Sequence, residues 1–152
     1  MPSLELKIPP PIVALSVALA MWSVRLLAPS SSAAPVRVAA AVILVLVAVA
    51  FSVSGVLAFG KAKTTKNPMK PEDASSLVVT GVYKITRNPM YLGLCFLLLA
   101  WALFLWSPWA LLGPLAFVAY ISRFQIAPEE RILATLFGAE YSAYKARVRR
   151  WL

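Results

Sequence analysis

One stretch of the chain reads Thr80-Gly81-Val82-Tyr83-Lys84-Ile85-Thr86-Arg87-Asn88-Pro89-Met90-Tyr91, and it lies between two long apolar segments. Gly81 can adopt backbone angles that other residues resist, and Pro89 disfavours the helical conformation at Asn88. We therefore predict a shaped loop that ends where a helix begins near Pro89, because proline fits the first turn of a helix. Tyrosines, an arginine and an amide at a membrane edge are typical of a small-molecule site. The alternative is a basic turn that only sets the membrane topology.

The composition of the whole chain indicates a membrane protein. Of its 152 residues, 61% are hydrophobic, and the mean hydropathy is +0.77, well above that of an ordinary soluble domain. The net charge of +9 fits lipid headgroups and topology better than nucleic acid, because the basic residues lie between apolar segments. The chain has no histidine and one cysteine, Cys95. This excludes Ser-His-Asp and Cys-His catalysis and an internal disulfide, and it makes a metal site improbable.

Four apolar segments are predicted to cross the membrane as helices, over residues 12–27, 36–59, 90–106 and 109–126. The second is long enough to span about 30 Å of hydrocarbon. A cleaved signal peptide is the competing interpretation of the first. The sequence thus predicts one domain over residues 1–152 with an all-α integral membrane fold. It has about four transmembrane helices, loops over 28–35 and 60–89, and a cytoplasmic C-terminal amphipathic helix over 128–148.

The orientation of these helices follows from the charged residues. Lys7, the loop from Lys61 to Arg87 and the tail from Arg123 to Arg150 fall on one side of a four-span arrangement. The positive-inside rule places that side, and both termini, in the cytoplasm. The chain is therefore expected in the cytoplasmic (inner) membrane. No Asp or Glu falls inside a predicted span, which argues against a proton-coupled transporter.

The tail contains the second informative pattern. Pro128 followed by Glu129 and Glu130 is a favourable helix start, since carboxylates stabilise the positive end of the helix dipole. One carboxylate is enough for that purpose, so the pair predicts a ligand with hydroxyl groups or positive charge. Gly138 is expected to close the helix. The amphipathic residues after Gly138 are expected to lie on the inner leaflet, with their basic end on lipid phosphates.

Three spaced motifs together resemble the isoprenylcysteine carboxyl methyltransferase family, and the related phospholipid methyltransferases share much of the pattern. The motifs are Thr80-Gly81-Val82-Tyr83, Arg87-Asn88-Pro89-Met90-Tyr91, and Glu129-Glu130 followed by Leu136-Phe137-Gly138-Ala139-Glu140-Tyr141. The similarity covers the chain from about Ser75 onward.

The resemblance implies an integral-membrane methyltransferase that uses S-adenosylmethionine without a Rossmann domain. Glu129 would accept hydrogen bonds from the cofactor, tyrosine faces would stabilise its sulfonium, and Arg87 would offset its carboxylate. We expect a lipophilic acceptor from the inner leaflet, reaching the site between the third and fourth spans, with membrane lipids but no nucleic acid or metal as partners. The implied cofactor-binding residues are Ser75, Ser76, Leu77, Val78, Tyr83, Arg87, Asn88, Pro89, Met90, Tyr91 and Glu129.

Two positions depart from the family pattern. Asn88 replaces the usual histidine, and Gln125 replaces an arginine that the prenylcysteine enzymes carry. Arg123 is two residues earlier and points about 160° away from Gln125 on an ideal helix. The implied fold and cofactor therefore carry over better than a prenylcysteine substrate.

The candidates for a catalytic role are Arg123, Gln125 and Glu130. An amine or hydroxyl acceptor would need a base, for which Glu130 or Tyr91 are the candidates. The alternatives are a phospholipid-type or small-thiol membrane methyltransferase, a glutathione-type membrane transferase, and a non-enzymatic four-helix membrane module.

Overall fold

A computed structural model describes residues 4–27, 35–62 and 70–152, and within these ranges the chain is helical and has no strand. The α-helices are α1 (Pro10–Leu27), α2 (Pro35–Ala62), α3 (Pro89–Leu105), α4 (Leu112–Ile121) and α5 (Ala127–Arg147). Short 3₁₀ turns occupy Pro71–Asp73, Gly81–Lys84 and Pro108–Leu111, and one π-helical turn occupies Ser122–Ile126. The all-helical prediction is confirmed for this part of the chain.

Two stretches of the described residues are long and apolar enough to cross a membrane, Pro35–Ala62 and Pro108–Arg147. The other apolar helices, α1 and α3, are shorter. Helices α1, α2 and α3 nearly coincide with the predicted segments 12–27, 36–59 and 90–106. Most of the predicted 28–35 loop, and residues 63–69 of the 60–89 loop, lie outside the described residues.

Helix α3 lies at the centre of the packing. It contacts α2 along much of its length, and it also packs against α1 and α4. Phe117 and Ile121 of α4 are fully buried in the core that these helices share. Helix α2 behaves differently, since its buried residues are only Arg37, Ala48 and Gly55 while many of its valines and leucines are exposed. An exposed apolar face of this kind suits contact with lipid.

Helix α4, the π-helical turn and α5 as far as Gly138 form one continuous rod. The predicted helix start at Pro128 lies one residue after Ala127, where α5 begins directly after the π-helical turn. Gly138 has φ +48° and ψ −117°, so the first helical segment of α5 ends there as predicted, and a second helical segment follows after the kink. A glycine tolerates this left-handed conformation without a Cβ clash, so the chain changes direction and continues.

The kink changes the location of the tail. Tyr141, Tyr144 and Val148 are buried against Val78 and Tyr83. These side chains therefore face protein, whereas we expected them to face the inner leaflet. The tail forms a wall of the site described next.

Candidate active site

A cavity of about 120 Å³ lies among the end of α2, the segment before α3, and α5. Its walls are mainly apolar and aromatic. Among the predicted cofactor residues, those that line it are Ser76, Leu77, Val78, Tyr83, Arg87, Asn88, Met90, Tyr91 and Glu129. Ser75 is exposed and Pro89 is fully buried at the start of α3, and neither is among the lining residues.

The turn before α3 has the conformation that its sequence predicts. Gly81 has φ +61° and opens a 3₁₀ turn that carries Tyr83 into the cavity wall. Asn88 has φ −130° and precedes Pro89, the first residue of α3. Tyr144 donates a hydrogen bond of 2.7 Å to the backbone carbonyl of Tyr83, and Phe59 packs edge-on against the Tyr83 ring at 5.5 Å.

The C-terminal residues form hydrogen bonds with the same turn. The backbone N–H of Arg87 donates to the carbonyl of Arg149 at 3.0 Å. Asn88 Nδ2 and Thr86 Oγ1 donate to the carbonyl of Arg150 at 2.9 and 3.2 Å. Asn88, at the position of the family histidine, is thus held by the tail backbone at the edge of the cavity.

Glu129 lies in the cavity wall, and its hydrogen-bond donors within residues 4–27, 35–62 and 70–152 are neutral. Tyr91 Oη donates to its Oε1 at 2.5 Å, and Gln125 Nε2 donates to the same oxygen at 2.6 Å. The predicted fourth apolar segment ends at residue 126, and Glu129 lies three residues after it. Burial raises the pKa of Glu129 to about 7, although the two hydrogen bonds act in the opposite direction.

Glu130, the next residue, has charged partners. Arg87 and Arg150 reach its two carboxylate oxygens at 2.6 Å each, and Lys145 Nζ lies 3.8 Å away. Burial alone would raise the pKa of Glu130, but the hydrogen bond from Arg150 and the charges of Arg87 and Arg150 outweigh it and lower this pKa. Glu130 also lines the cavity, and its ion pairs within the protein account for its carboxylate without a ligand. A carboxylate with a lowered pKa is also a weak base.

The π-helical turn separates two of the predicted catalytic residues. Gln125 is buried and contacts Glu129. Arg123 is exposed and forms an ion pair with Glu5 at 2.7 Å, and Glu5 also pairs with Arg131 at 2.5 Å. Arg123 is not among the residues that line the cavity, so a catalytic role for it has no support in the geometry.

Several lining residues were not predicted. They are Phe59, Pro71, Ala74, Ile126, Leu133, Tyr141 and Tyr144. Tyr141 and Tyr144 could have been predicted, since tyrosines that recur at helical spacing in a polar tail fit an aromatic wall as well as a membrane surface. Among the described residues, no cluster of three or more His, Cys, Asp or Glu side chains could hold a metal ion.

Comparison with known proteins finds several relatives of this chain. The chain is 52% identical over 63 residues to an uncharacterized protein of Haemophilus influenzae, covering 41% of this chain and 100% of that protein. It is 43% identical over 70 residues to methanethiol S-methyltransferase 1 of Bradyrhizobium diazoefficiens, covering 44% of this chain and 22% of that enzyme. It is 37% identical over 82 residues to protein-S-isoprenylcysteine O-methyltransferase of Saccharomyces cerevisiae, covering 52% of this chain and 33% of that enzyme.

The chain thus spans about a fifth and a third of the two named methyltransferases. No solved structure matches it. The phospholipid methyltransferase profile matches residues 36–140, which include α2, α3, α4 and the start of α5. Because this match covers more than half of the chain, the protein belongs to the phospholipid methyltransferase family.

Proposed function

We propose that the protein transfers a methyl group from S-adenosylmethionine to a lipophilic acceptor at the cytoplasmic face of the membrane. The observation that carries this proposal is the cavity in which Tyr83, Tyr91 and Glu129 meet. They come from three separate motifs, and the fold brings them into one wall. A basic turn that only set the topology would not need such a cavity.

The chemistry of the walls fits the cofactor. Aromatic faces attract a sulfonium cation, and Tyr83 and Tyr141 line the cavity. The Arg87 side chain is mostly buried, and no described residue accepts a hydrogen bond from its Nε. A buried donor without a partner is costly, and a polar group of a ligand would satisfy it. When bound, the cofactor supplies the methyl group; the protein aligns the reactants and excludes water.

The four apolar helical segments are proposed to cross the membrane with both termini in the cytoplasm. Helices α1 and α3 have 18 and 17 residues, so each is about 25–27 Å long, close to the thickness of the hydrocarbon core. The cavity lies at the end of the bundle that carries the lysine- and arginine-rich segments. By the positive-inside rule that end faces the cytoplasm, where the cofactor is available.

The acceptor is proposed to reach the cavity from the lipid between α2 and the α4–α5 rod. Phe59 of α2 and Leu133 of α5 both line the cavity, and α2 exposes an apolar face. This differs from the predicted route between the third and fourth spans, because α3 and α4 pack against each other.

Cofactor binding tests the proposed function directly. Tritiated S-adenosylmethionine should bind saturably to the detergent-purified protein, and S-adenosylhomocysteine should compete with it whereas ATP should not. Leu133→Trp should weaken binding at least tenfold, because the larger side chain would fill the cavity that Leu133 lines. The control is Leu136→Trp, one turn further at an exposed position, which should bind normally. Absence of binding to the folded wild-type protein would favour the non-enzymatic membrane module.

A further inference from the structure

Two adjacent carboxylates at the cavity have opposite surroundings. Glu130 is neutralised by Arg87, Arg150 and Lys145. Among the described residues, the hydrogen-bond donors to Glu129 are Tyr91 and Gln125, which carry no charge. When neighbouring titratable groups differ in this way, their environments assign them different roles.

We infer that Glu129 is the general base of the reaction and that the acceptor is a lipophilic thiol, which gives its proton to Glu129, rather than a carboxylate. This inference rests on the proposed methyl transfer. It also moves Glu129 from a purely cofactor-binding role to a catalytic one, in place of Glu130 and Tyr91.

The position of Glu129 suits a base. Both of its hydrogen bonds reach Oε1, so they fix the carboxylate and leave Oε2 without a hydrogen bond from the described residues. Tyr91 on α3 and Gln125 in the π-helical turn are therefore positioning residues. Glu129 lines the cavity together with Met90, so an acceptor in the cavity would lie within its reach.

The charges around the cavity disfavour a carboxylate acceptor. Arg87 is the cationic side chain among the residues that line the cavity, and it pairs with Glu130, which Arg150 and Lys145 also contact. Arg87 Nη1 is also held by the backbone carbonyls of Lys145 and Val148. An ionised carboxylate beside Glu129 would meet repulsion from the ionised form of Glu129, and it has no proton to give to a base. A neutral thiol carries no such penalty in a cavity with apolar walls.

The proton affinity of Glu129 supports this role. The titratable groups around it are Tyr91 on α3, Tyr83 in the 3₁₀ turn, Arg87 before α3, and Glu130 and Tyr141 on α5. Burial raises the pKa of Tyr83 and Tyr141 above 10, so both stay neutral near pH 7, while Glu130 stays ionised because its pKa is lowered. Glu129, with its pKa raised to about 7, is the group that titrates near neutral pH, where a base is most effective.

Methyl transfer to a thiol breaks two bonds and forms two. The thiol S–H bond breaks and its proton moves to a carboxylate oxygen of Glu129, while the thiol sulfur forms a bond to the methyl carbon. The bond between that carbon and the sulfonium sulfur breaks, and its electron pair stays on that sulfur, which becomes a neutral thioether. The products are a methyl thioether and S-adenosylhomocysteine, and Glu129 later releases its proton to water.

Methyl transfer from tritiated S-adenosylmethionine to three lipophilic probes tests this inference. The probes are decanethiol, phosphatidylethanolamine as the amine, and N-acetyl-S-farnesylcysteine as the carboxylate. We expect decanethiol to be methylated at least tenfold faster than either of the others. Its rate should rise with pH through an inflection near 7. Faster methylation of the amine or the carboxylate would overturn the assigned acceptor class.

Glu129→Gln tests the base itself. Because general-base catalysis typically contributes about 10²–10⁴-fold, we expect kcat with decanethiol to fall at least 100-fold and the inflection near pH 7 to disappear, with cofactor affinity changed less than threefold. Glu140→Gln, at an exposed position of α5, is the matched control and should keep wild-type activity. If Glu129→Gln does not fold, a wild-type rate that does not change between pH 6 and 8 would overturn the inference. Normal cofactor binding with an active Glu129→Gln variant would also reject it and leave the proposed function intact.

Discussion

Glu130 is the residue that joins three parts of the chain. Its carboxylate binds Arg87 from the segment before α3 and Arg150 from the tail, and its own helix supplies Lys145. The side chains of Glu130 and Arg87 are both 9% exposed, while that of Arg150 is 37% exposed. Removing one member of a buried ion pair leaves the other charge uncompensated, so this cluster should contribute to holding the wall of the cavity together.

Glu130→Gln should therefore destabilise the protein. We expect the free energy of unfolding to fall by on the order of 3 kcal/mol. This is at the low end of values for breaking a buried ion pair, because Arg150 is partly exposed. Thermal unfolding in detergent micelles measures it, with Glu140→Gln, exposed on the same helix, as the control. An unchanged melting temperature would contradict a structural role.

The pH dependence of this loss follows from the lowered pKa of Glu130. Its ionised form stabilises the folded protein above the ordinary carboxyl value of 4.5, and this contribution disappears as pH falls through the lower folded pKa. The difference between the wild type and Glu130→Gln should therefore be full at pH 7 and shrink below pH 4.5.

The sequence predicted which residues share the site, but it did not predict all of the contacts between them. The motifs placed Tyr83, Tyr91 and Glu129 at one site, and the structure brings them together. The partnership of Glu130 with Arg150 was not predictable from spacing, because it depends on the kink at Gly138 that returns the tail to the turn before α3.

At the scale of elements, the contact between α2 and α3 depends on small residues. Gly93 of α3 faces Ser52 and Ala48 of α2, and an added Cβ would overlap Ser52 Oγ and lie 2.9 Å from the carbonyl oxygen of Ala48. A backbone carbonyl cannot move away without shifting the helix. Small residues allow this close approach between helices in lipid.

Gly93→Ala should therefore weaken the packing of α2 on α3. We expect the free energy of unfolding to fall by about 1–3 kcal/mol, as for other overpacked interiors. Thermal unfolding in micelles measures this change. Gly113→Ala in α4 is the matched comparison, because its Cβ would meet the flexible side chain of Met21 and Val17 rather than backbone. If Gly93→Ala lowers the free energy of unfolding no more than Gly113→Ala does, α2 can shift away from α3 without cost.

The helices also show which structural features the sequence patterns predicted and which they did not. Apolar length identified α1, α2 and α3 correctly, since a long hydrophobic run has few other stable conformations. The tail was assigned to the membrane surface because amphipathic spacing alone does not distinguish lipid from a protein wall. Its burial against Val78 and Tyr83 depends on long-range packing that spacing does not encode.

At the scale of the whole molecule, the two ends of the helical bundle differ in chemistry. Away from the cavity, Trp22 of α1 stacks on Trp101 of α3 at 5.7 Å, and Arg37 of α2 lies 4.2 Å from the Trp106 ring. Tryptophan is typical of a membrane interface. The cavity end carries Lys84 and the arginines of the tail. This asymmetry supports the proposed orientation with the cavity at the cytoplasmic face.

Cysteine labelling in intact cells tests that orientation. In a Cys95→Ser background, an impermeant maleimide should label Trp109→Cys, an exposed position in the turn between α3 and α4. It should not label Lys84→Cys, exposed in the 3₁₀ turn beside the cavity, until the membrane is permeabilised. The Cys95→Ser protein alone should remain unlabelled throughout. The two positions lie at opposite ends of α3. Equal labelling of both in intact cells would therefore contradict a bundle that spans the membrane with its cavity at the cytoplasmic face. The reverse pattern would place the cavity on the outer face.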